Sequence, residues 1–488
     1  MQLTVSQTDD PTVLDVDLVV VTIGSGKRIT GPLAALDAAL GGSVQAAVAD
    51  REITGSAGGV TIVHGGGRIA AGRVAVVGIG DASAEHLRKA GRALGTRARG
   101  LGVATVALFL PSRGVQPEPF LTALAHGAYR FTRFRSSDDE STAPIAEVTL
   151  HGRSLSAGAL ARTAGVIEAT ARARDLGNTP SNLLTPSLLA EYARDLAGRY
   201  DRLECDVLGP TELSALGAGA LLGVGQGSVE PPRMIVLRYS PPRPSPNGEV
   251  LGLVGKAVTF DTGGISIKPA SGMEEMKLDM AGGAAVIEAM GLIAEVAPGV
   301  DVVGVIPTAE NMPDGNAIKP GDVLRAMDGT TIEVTNTDAE GRLILADALC
   351  YATRHAGATH LVDLATLTGA ILVALGEGHY AGLFSSDDAL AKVVREAGDA
   401  SGQPCWPMPI HEDYRSLFTS KVADVANSSS KRWAGAITAA MFLHRFTDGR
   451  PWVHLDVAGT AMVSGAGTGF GVELLLGAAE SVAGGALG

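Results

Sequence analysis

Two short segments of this sequence place acidic and basic residues close together among small or apolar ones. The first segment runs from Asn336 to Leu343 and contains Asp338, Glu340 and Arg342. Two carboxylates separated by one residue repel each other unless a positive charge lies between them. An exposed acidic turn, with Glu340 at a helix N-terminus, is the simpler alternative, because acidic residues are common at helix starts. The pair therefore needs a second unusual segment before it indicates a metal site.

The second segment supplies that further signal. An uncharged run, Val250–Gly255, leads into Lys256, and the charged residues that follow include Asp261, Lys268 and Asp279. Charges buried among apolar residues cost free energy unless they pair or bind a metal. Four carboxylates, those of Asp261, Asp279, Asp338 and Glu340, are enough oxygen ligands for two divalent ions that share bridging groups. The lysines and the arginine would supply positive charge or a nitrogen ligand, and a surface salt bridge is the alternative for either lysine.

These two motifs resemble those of the leucyl aminopeptidases, a family of dinuclear metallopeptidases. Residues 336–343 match the signature octapeptide of that family at every position, and residues 255–269 match its other core motif. The likeness extends over roughly residues 160–475 and is weak before about residue 120. Two such motifs in the expected order are highly specific, so the resemblance implies a metal-dependent aminopeptidase.

The resemblance implies a ligand set for two divalent ions. One ion would be held by Lys256, Asp261, Asp279 and Glu340, and the other by Asp261, Asp338 and Glu340. The expected ions are Mn²⁺ or Zn²⁺, with Co²⁺ or Mg²⁺ as alternatives. A water that bridges both ions would attack the scissile carbonyl.

The same resemblance assigns roles in catalysis and substrate binding. Lys268 would stabilise the developing oxyanion, and Arg342 would hold a bicarbonate ion that acts as the general base. Substrate binding is assigned to Met276, Asn336, Thr366 and Leu367. Because the free amino group of a peptide would bind one metal, cleavage would be confined to the N-terminal residue, with an apolar residue such as leucine preferred. Peptides are the expected partners, and a homohexamer is the expected assembly.

The elements that must position these residues are a strand and a helix. Thr331–Thr335 has the composition of a strand, and Leu343–Leu349 has that of a helix. The acidic motif would then lie in a strand-to-helix turn, where open α/β sheets hold their chemistry.

Alternating strand and helix patterns predict an α/β protein with two domains. Residues 1–155 would form a small N-terminal α/β domain. Residues 156–488 would form a larger α/β catalytic domain with a central mixed sheet flanked by helices. The Ala-rich run 156–176 would be a linking helix, which Gly177, Asn178 and then Pro180 bring to an end.

Composition excludes several other classes of protein. The chain has 488 residues and a formal net charge of −13, which argues against nucleic-acid binding, since that needs a basic face. Its three cysteines have no paired spacing, which excludes a disulfide framework. The N-terminus lacks the pattern of a signal peptide, and no apolar run approaches the roughly 20 residues of a membrane helix. The expected location is therefore the cytoplasm, without a membrane partner.

Two other segments and two rival functions complete the expectations. His454 and Asp456 are expected to be a satisfied structural pair on an apolar strand. Residues 427–432 are rich in Ser and Lys where the family has more glycine, and are expected to be a mobile loop.

Two other functions are alternatives to an aminopeptidase. A dinuclear phosphoesterase would share the carboxylates. A hexameric scaffold that binds DNA is the other alternative, which the acidic net charge disfavours.

Overall fold

The computed structural model describes residues 1–111, 114–136, 144–153, 155–245 and 247–487. The chain divides into two compact units, Met1–Ala171 and Arg172–Gly488. The division falls inside one long helix, Ala157–Asn178, which covers the predicted linking helix. The assignment of residues 1–155 and 156–488 to separate domains remains a proposal.

The first unit is built on a six-stranded sheet with the order β1-β6-β5-β2-β4-β3. Its strands are β1 (Gln2–Ser6), β2 (Leu18–Gly24), β3 (Val60–His64), β4 (Arg73–Gly80), β5 (Thr105–Phe109) and β6 (Glu147–His151). All pairs are parallel except β3 with β4. Successive side chains point to opposite faces, so Val20 joins one apolar cluster while Val19 and Val21 join another. The valine-rich strands are therefore covered on both faces, as their composition predicts.

The helices of this unit are α1 (Pro32–Ala39), α2 (Ser43–Ala49), α3 (Ala84–Ala98), α4 (Glu118–Ala128) and the start of α5 (Ala157–Asn178). Helix α3 begins after Ser83, whose side chain accepts a hydrogen bond from the backbone N–H of His86. In the described part of the chain, no single helix is long and apolar enough to cross a membrane. Helices α1 and α2, which are joined at a sharp bend, are long and apolar enough only when they are taken together, and this rests on length and composition alone.

The second unit has a nine-stranded sheet and two small ones. Its strands are β7 (Leu203–Leu208), β8 (Arg233–Tyr239), β9 (Val250–Gly255), β10 (Ala257–Asp261), β11 (Asp301–Asn311), β12 (Val323–Arg325), β13 (Thr331–Glu333), β14 (His360–Ala365), β15 (Ala381–Ser385), β16 (Cys405–Pro407), β17 (Val425–Ala426), β18 (Trp452–Asp456), β19 (Met462–Val463) and β20 (Ala466–Gly467). The large sheet has the order β16-β15-β18-β14-β9-β11-β8-β7, and β10 pairs with β11. Parallel and antiparallel pairs both occur in it, which confirms the predicted mixed sheet.

Helices cover this sheet and carry part of the core. They are α6 (Pro186–Ala197), α7 (Pro210–Ala215), α8 (Gly219–Gly225), α9 (Ala281–Val296), α10 (Gly341–Arg354), α11 (Gly369–Leu375), α12 (Asp388–Ser401), α13 (Gly435–His444) and α14 (Val472–Ala483). Helix α10 is buried from its first residue to Thr353. Because α10 is buried on all sides, the protein packs around its first turn, which carries Arg342.

The strand that precedes the acidic motif differs from its prediction. Strand β13 ends at Glu333, two residues earlier than predicted, and it belongs to a three-stranded sheet with β12 and β17 instead of the large sheet. Apolar alternation shows that a segment can form a strand but not which sheet it joins.

Five strand ends define one edge of the large sheet. Strands β9, β10, β11, β14 and β18 run in the same direction, since each is parallel to a neighbour in that set. Their carboxyl ends place five polar residues along this edge: Lys256, Asp261, Asn311, Thr366 and Asp456. Ligand sites of α/β sheets form at such an edge.

Candidate metal centre

Three carboxylates from two separate segments meet at this edge. One ligand atom from each of Asp261, Asp338 and Glu340 lies within 4.8 Å of the other two. Asp261 ends β10, and the other two acids lie in the turn before α10. Glu340 is 1% exposed and the Asp338 side chain 33%, so this is not a fully exposed acidic turn. Three carboxylates at this spacing form the donor set that a hard divalent cation prefers.

Both lysines point into the same cluster. Lys256 Nζ lies 2.8 Å from Asp279 Oδ2 and 2.7 Å from Glu340 Oε1. Lys268 Nζ lies 2.8 Å from Asp261 Oδ2 and also contacts Asp338 Oδ1. Lys256 is buried, so the alternative of a surface salt bridge is wrong for it. The structure thus connects all five predicted metal ligands and Lys268 in one network.

Burial and the facing charges act against each other on these groups. Burial lowers the pKa of Lys256, but the carboxylates of Asp279, Glu340 and Asp261 outweigh burial and raise it. The pKa of Lys268 is also raised, since Asp261 and Glu340 outweigh burial. Burial raises the pKa of Glu340 and Asp279, and the lysines only partly offset it. The protein groups by themselves therefore keep Lys256 protonated. It would have to lose a proton to become a metal ligand.

Negative charge is in excess in this cluster. Four carboxylates face two lysines, and Glu340 Oε2 is buried without a hydrogen-bond partner among the described residues. A buried acceptor that lacks a donor costs free energy, on the order of 1–3 kcal/mol. A cation at this oxygen would remove that cost and balance the charge, so the residues fit a divalent metal centre.

A glycine allows Lys256 to reach the acidic turn. A Cβ atom on Gly341 would lie 2.7 Å from Lys256 Nζ, which is closer than real Cβ contacts. Any larger residue at this position would displace the lysine. The glycine of the Asn336–Leu343 motif is therefore required by the close approach of the Lys256 side chain.

Polar residues outside the predicted set join the two motifs. Asn311 Nδ2 donates to Asp261 Oδ1 at 2.8 Å and to the carbonyl oxygen of Thr337 at 3.0 Å. Thr337 Oγ1 donates to the carbonyl oxygen of Gly263 at 2.6 Å and accepts from the Ser266 N–H at 2.8 Å. The sequence analysis missed Asn311, although a polar residue at the carboxyl end of a buried strand is a usable signal.

Arg342 lies in the first turn of α10 and is 8% exposed. Its Nη1 donates to the carbonyl oxygen of Asn427 at 2.8 Å. Its Nε has no hydrogen-bond partner in the described part of the chain. Burial lowers the pKa of Arg342 to about 10, while Glu340 and Asp456 act in the opposite direction. A buried guanidinium with a free donor is suited to bind a small anion.

The predicted substrate-binding residues lie in three places. Thr366 Oγ1 donates to Asp279 Oδ1 at 2.8 Å, which places Thr366 beside the carboxylate cluster. Leu367 follows it in the same turn, and its N–H donates to Asp456 Oδ1 at 3.2 Å. Asn336 Oδ1 accepts from the Asp338 N–H at 2.9 Å. Met276 is half-buried in the short helix Met273–Leu278, directly before Asp279.

Two expectations about nearby residues are corrected. His454 and Asp456 do not pair with each other: His454 Nδ1 lies 2.6 Å from Asp363 Oδ1, whereas Asp456 accepts from Thr368 Oγ1 at 2.6 Å. The prediction of a mobile loop from residue 427 is wrong at its first residue. Asn427 is fully buried and hydrogen-bonded to the acidic turn, because the short strand β17 leads it there.

Comparison with known sequences covers both units. The chain matches the model described as the cytosol aminopeptidase family, catalytic domain, over residues 171–476, and the N-terminal domain of that family over residues 19–138. A probable cytosol aminopeptidase of Solibacter usitatus is 45% identical, and the alignment covers 92% of this chain and 91% of that protein. One from Roseiflexus castenholzii is 41% identical, and the alignment covers 98% of this chain and 98% of that protein.

Solved structures give the same result for the fold. A mutant of tomato leucine aminopeptidase has a TM-score of 0.88 and 33% identity, and covers 98% of this chain and 96% of its own. The bottromycin maturation enzyme BotP in complex with Mn has a TM-score of 0.83 and 36% identity, and covers 96% of this chain and 100% of its own. The likeness thus includes the first unit, where the sequence motifs showed little resemblance.

Proposed function

The chain belongs to the cytosol aminopeptidase family and is a metal-dependent aminopeptidase, and we propose that it removes apolar N-terminal residues such as leucine from peptides and aminoacyl amides. The observation that carries the proposal is the buried excess of carboxylate at the carboxyl edge of the large sheet, with Glu340 Oε2 left unpartnered among the described residues. A network balanced by its own lysines would offer no site for a cation.

We assign the two ions to the residues of this network. Lys256, Asp261, Asp279 and Glu340 would hold one ion, and Asp261, Asp338 and Glu340 would hold the other. When bound, the two ions would lower the pKa of a shared water and polarise the scissile carbonyl. Mn²⁺ is the first ion to test, because the solved structure of BotP contains Mn. Zn²⁺, Co²⁺ and Mg²⁺ follow it.

Lys268 and Arg342 would act on the substrate from the protein side. The Lys268 side chain is 20% exposed, and its Nζ lies between Asp261 and Asp338 at the open side of the cluster. From there it would donate to the oxyanion that develops in the transition state. Arg342 Nε, which has no hydrogen-bond partner among the described residues, would hold a bicarbonate ion, and that ion would supply a general base.

Met276, Asn336, Thr366 and Leu367 would bind the N-terminal residue of the substrate. Thr366 donates a hydrogen bond to Asp279 and is therefore held against it. If the amino group of a substrate lay near this carboxylate, the side chain of the substrate's N-terminal residue would lie at the turn that contains Leu367. Leu367 is partly buried and packs against the apolar core of the second unit. An apolar wall at this position favours an apolar side chain over a charged one.

Two further properties are proposed from the family alone. We assign a homohexameric assembly, which light scattering tests, and a cytoplasmic location, which cell fractionation tests. The net charge of −13 disfavours nucleic acid as a partner, and a gel shift at low salt checks this.

The deciding experiment combines metal analysis with a substrate panel. The purified chain, loaded with Mn²⁺, is assayed on leucine, alanine, glutamate and lysine p-nitroanilides and on p-nitrophenyl phosphate. We expect two ions per chain and the highest kcat/KM on leucine. Turnover of the phosphoester without aminoacyl-amide hydrolysis, or full hydrolysis by metal-free protein, would overturn the proposal.

A further inference from the structure

The side chain of Asn427 occupies the inside of the turn that carries the acidic residues. Asn427 is 0% exposed, and it follows β17, which pairs in parallel with β13. Its N–H continues this ladder by donating to the carbonyl oxygen of Glu333 at 2.9 Å. Asn427 therefore enters the turn from a segment about 90 residues away in sequence.

The amide of Asn427 binds main-chain groups on both sides of Asp338. Its Oδ1 accepts from the N–H of Thr335 at 2.8 Å and from that of Asn336 at 3.3 Å. Its Nδ2 donates to the carbonyl oxygen of Asn336 at 2.7 Å and to that of Ala339 at 3.3 Å. Residues 334–340 lie in neither a helix nor a strand, so these bonds satisfy backbone groups that no regular element satisfies.

The backbone of Asn427 holds a second part of the site. Its carbonyl oxygen accepts from Arg342 Nη1 at 2.8 Å. One residue thus fixes the main chain next to Asp338 and Glu340, and also the guanidinium of Arg342. An amide accepts on one side and donates on the other, whereas a carboxylate offers acceptors alone.

We propose that Asn427 is a positioning residue that sets the metal-ligand geometry of Asp338 and Glu340 and the orientation of Arg342, without touching substrate. The proposal rests on the proposed function. Partners that orient metal ligands typically change metal affinity or activity about 10- to 100-fold when they are removed. A purely structural asparagine would change stability and leave the metal site as it is.

The test compares the same substitution at two buried asparagines of the second unit. Asn427→Asp keeps the shape and the acceptor but turns the two donated bonds into contacts between oxygens. Asn178→Asp is the matched control, since Asn178 is 7% exposed and its Oδ1 accepts from the Gly467 N–H at 2.9 Å, outside the acidic turn. The readouts are Mn²⁺ titration by calorimetry, the visible spectrum of the Co²⁺-loaded protein, kcat and KM on leucine p-nitroanilide, and the melting temperature.

We expect Asn427→Asp to bind Mn²⁺ about 10- to 100-fold more weakly and to show an altered Co²⁺ spectrum. At saturating Mn²⁺ its kcat should fall about 100-fold, while KM changes much less, because misplaced groups act on the transition state. Asn178→Asp should keep the metal affinity, the spectrum and kcat of the wild type, whatever its melting temperature. If Asn427→Asp does not fold, Asn427→Ser is judged by the same criteria.

Wild-type metal affinity, spectrum and kcat in the Asn427 variant would overturn the proposal, and so would equal changes in the Asn178 variant. The wild type decides the proposed function separately. Wild-type protein that neither binds Mn²⁺ nor hydrolyses the amide overturns that function. An active, metal-binding wild type with an unaffected Asn427 variant overturns only the role of Asn427.

Discussion

Two buried charge clusters of the second unit differ in how completely their atoms are satisfied. In the first, which we call the Glu288 cluster, Glu288 Oε2 lies 2.7 Å from Arg172 Nε and Oε1 accepts from the Tyr192 hydroxyl. In the second, the metal-centre cluster, four carboxylates face two lysines and Glu340 Oε2 has no partner in the described part of the chain. Glu288 and Glu340 are equally buried, at 0% and 1% exposure.

The difference shows that burial of charge does not by itself indicate a functional site. Buried ions are tolerated when each one is paired and hydrogen-bonded, and the Glu288 cluster meets that condition within the protein. The metal-centre cluster does not meet it, and a strongly perturbed, unbalanced group of charges indicates a ligand site. We therefore expect substitutions in the metal-centre cluster to lower activity, and substitutions in the Glu288 cluster to lower stability.

The largest expected effect is that of metal removal. A chelator should abolish hydrolysis, and Mn²⁺, Zn²⁺ or Co²⁺ should restore it, because a carboxylate site tolerates several divalent ions. Residual metal is measured by elemental analysis. A Glu288→Ala variant should lose and regain activity in the same way, since its charge cluster needs no metal. Full activity of protein shown to be free of metal would contradict the interpretation of the metal-centre cluster as a site for catalytic ions.

A matched pair of substitutions separates the two clusters. Glu340→Ala should lower kcat/KM by about 10³-fold or more, or about 4 kcal/mol of transition-state stabilisation, because both ions would lose a ligand. Glu288→Ala should keep kcat/KM near that of the wild type and lower the free energy of unfolding by about 2–4 kcal/mol, since it leaves a cavity and removes the carboxylate that accepts from Arg172 and Tyr192. Enzyme kinetics and urea unfolding of both variants check this. Equal losses of activity in the two variants would remove the distinction.

A smaller loss of turnover is expected at Lys268. Lys268→Ala should lower kcat about 10²- to 10³-fold, as the loss of an oxyanion donor does, while both ions stay bound. Lys319→Ala is the control, because its pair with Asp322 at 3.3 Å is exposed and contributes little. Loss of metal from the Lys268 variant would show that this lysine belongs to the ligand set instead.

The sequence predicted the class of fold and the segments that meet at the site. Lys256 and Asp261 could be placed because an uncharged strand ends beside each of them, and parallel strands bring their carboxyl ends to one edge. The charge excess could also be anticipated, since the four candidate carboxylate ligands outnumber Lys256 and Lys268.

The residues that position the site could not be predicted in the same way. Asn311 and Asn427 act through main-chain groups such as those of Thr335 and Thr337, and any residue type offers those groups. The pattern of Ser and Lys after Asn427 indicated a loop, because composition does not show that the first residue turns inward. The small sheet of β13 escaped prediction for a related reason, since pairing over about 90 residues leaves no periodic signal.

The smallest effect that we expect lies in the pH dependence of stability of the Glu288 cluster. Burial raises the pKa of Glu288, and Arg172 and Tyr192 offset burial only in part. The folded protein therefore holds this proton more tightly than the unfolded chain does. The stabilisation that this proton gives is complete below the pKa of Glu288 in the unfolded chain, about 4.3. It is lost as the pH rises through the raised pKa of Glu288 in the folded protein.

Glu288→Ala removes this titration, so its free energy of unfolding should fall less steeply with pH above about 4.3 than that of the wild type. Both proteins are unfolded with urea at a series of pH values in the same Mn²⁺ buffer, because the metal-centre cluster then contributes equally to both curves. Parallel curves would mean that Arg172 and Tyr192 compensate the burial of Glu288 in full. A wild type that gains stability over the variant as the pH rises would mean that the ion pair outweighs burial, and that the balanced cluster is held mainly by charge.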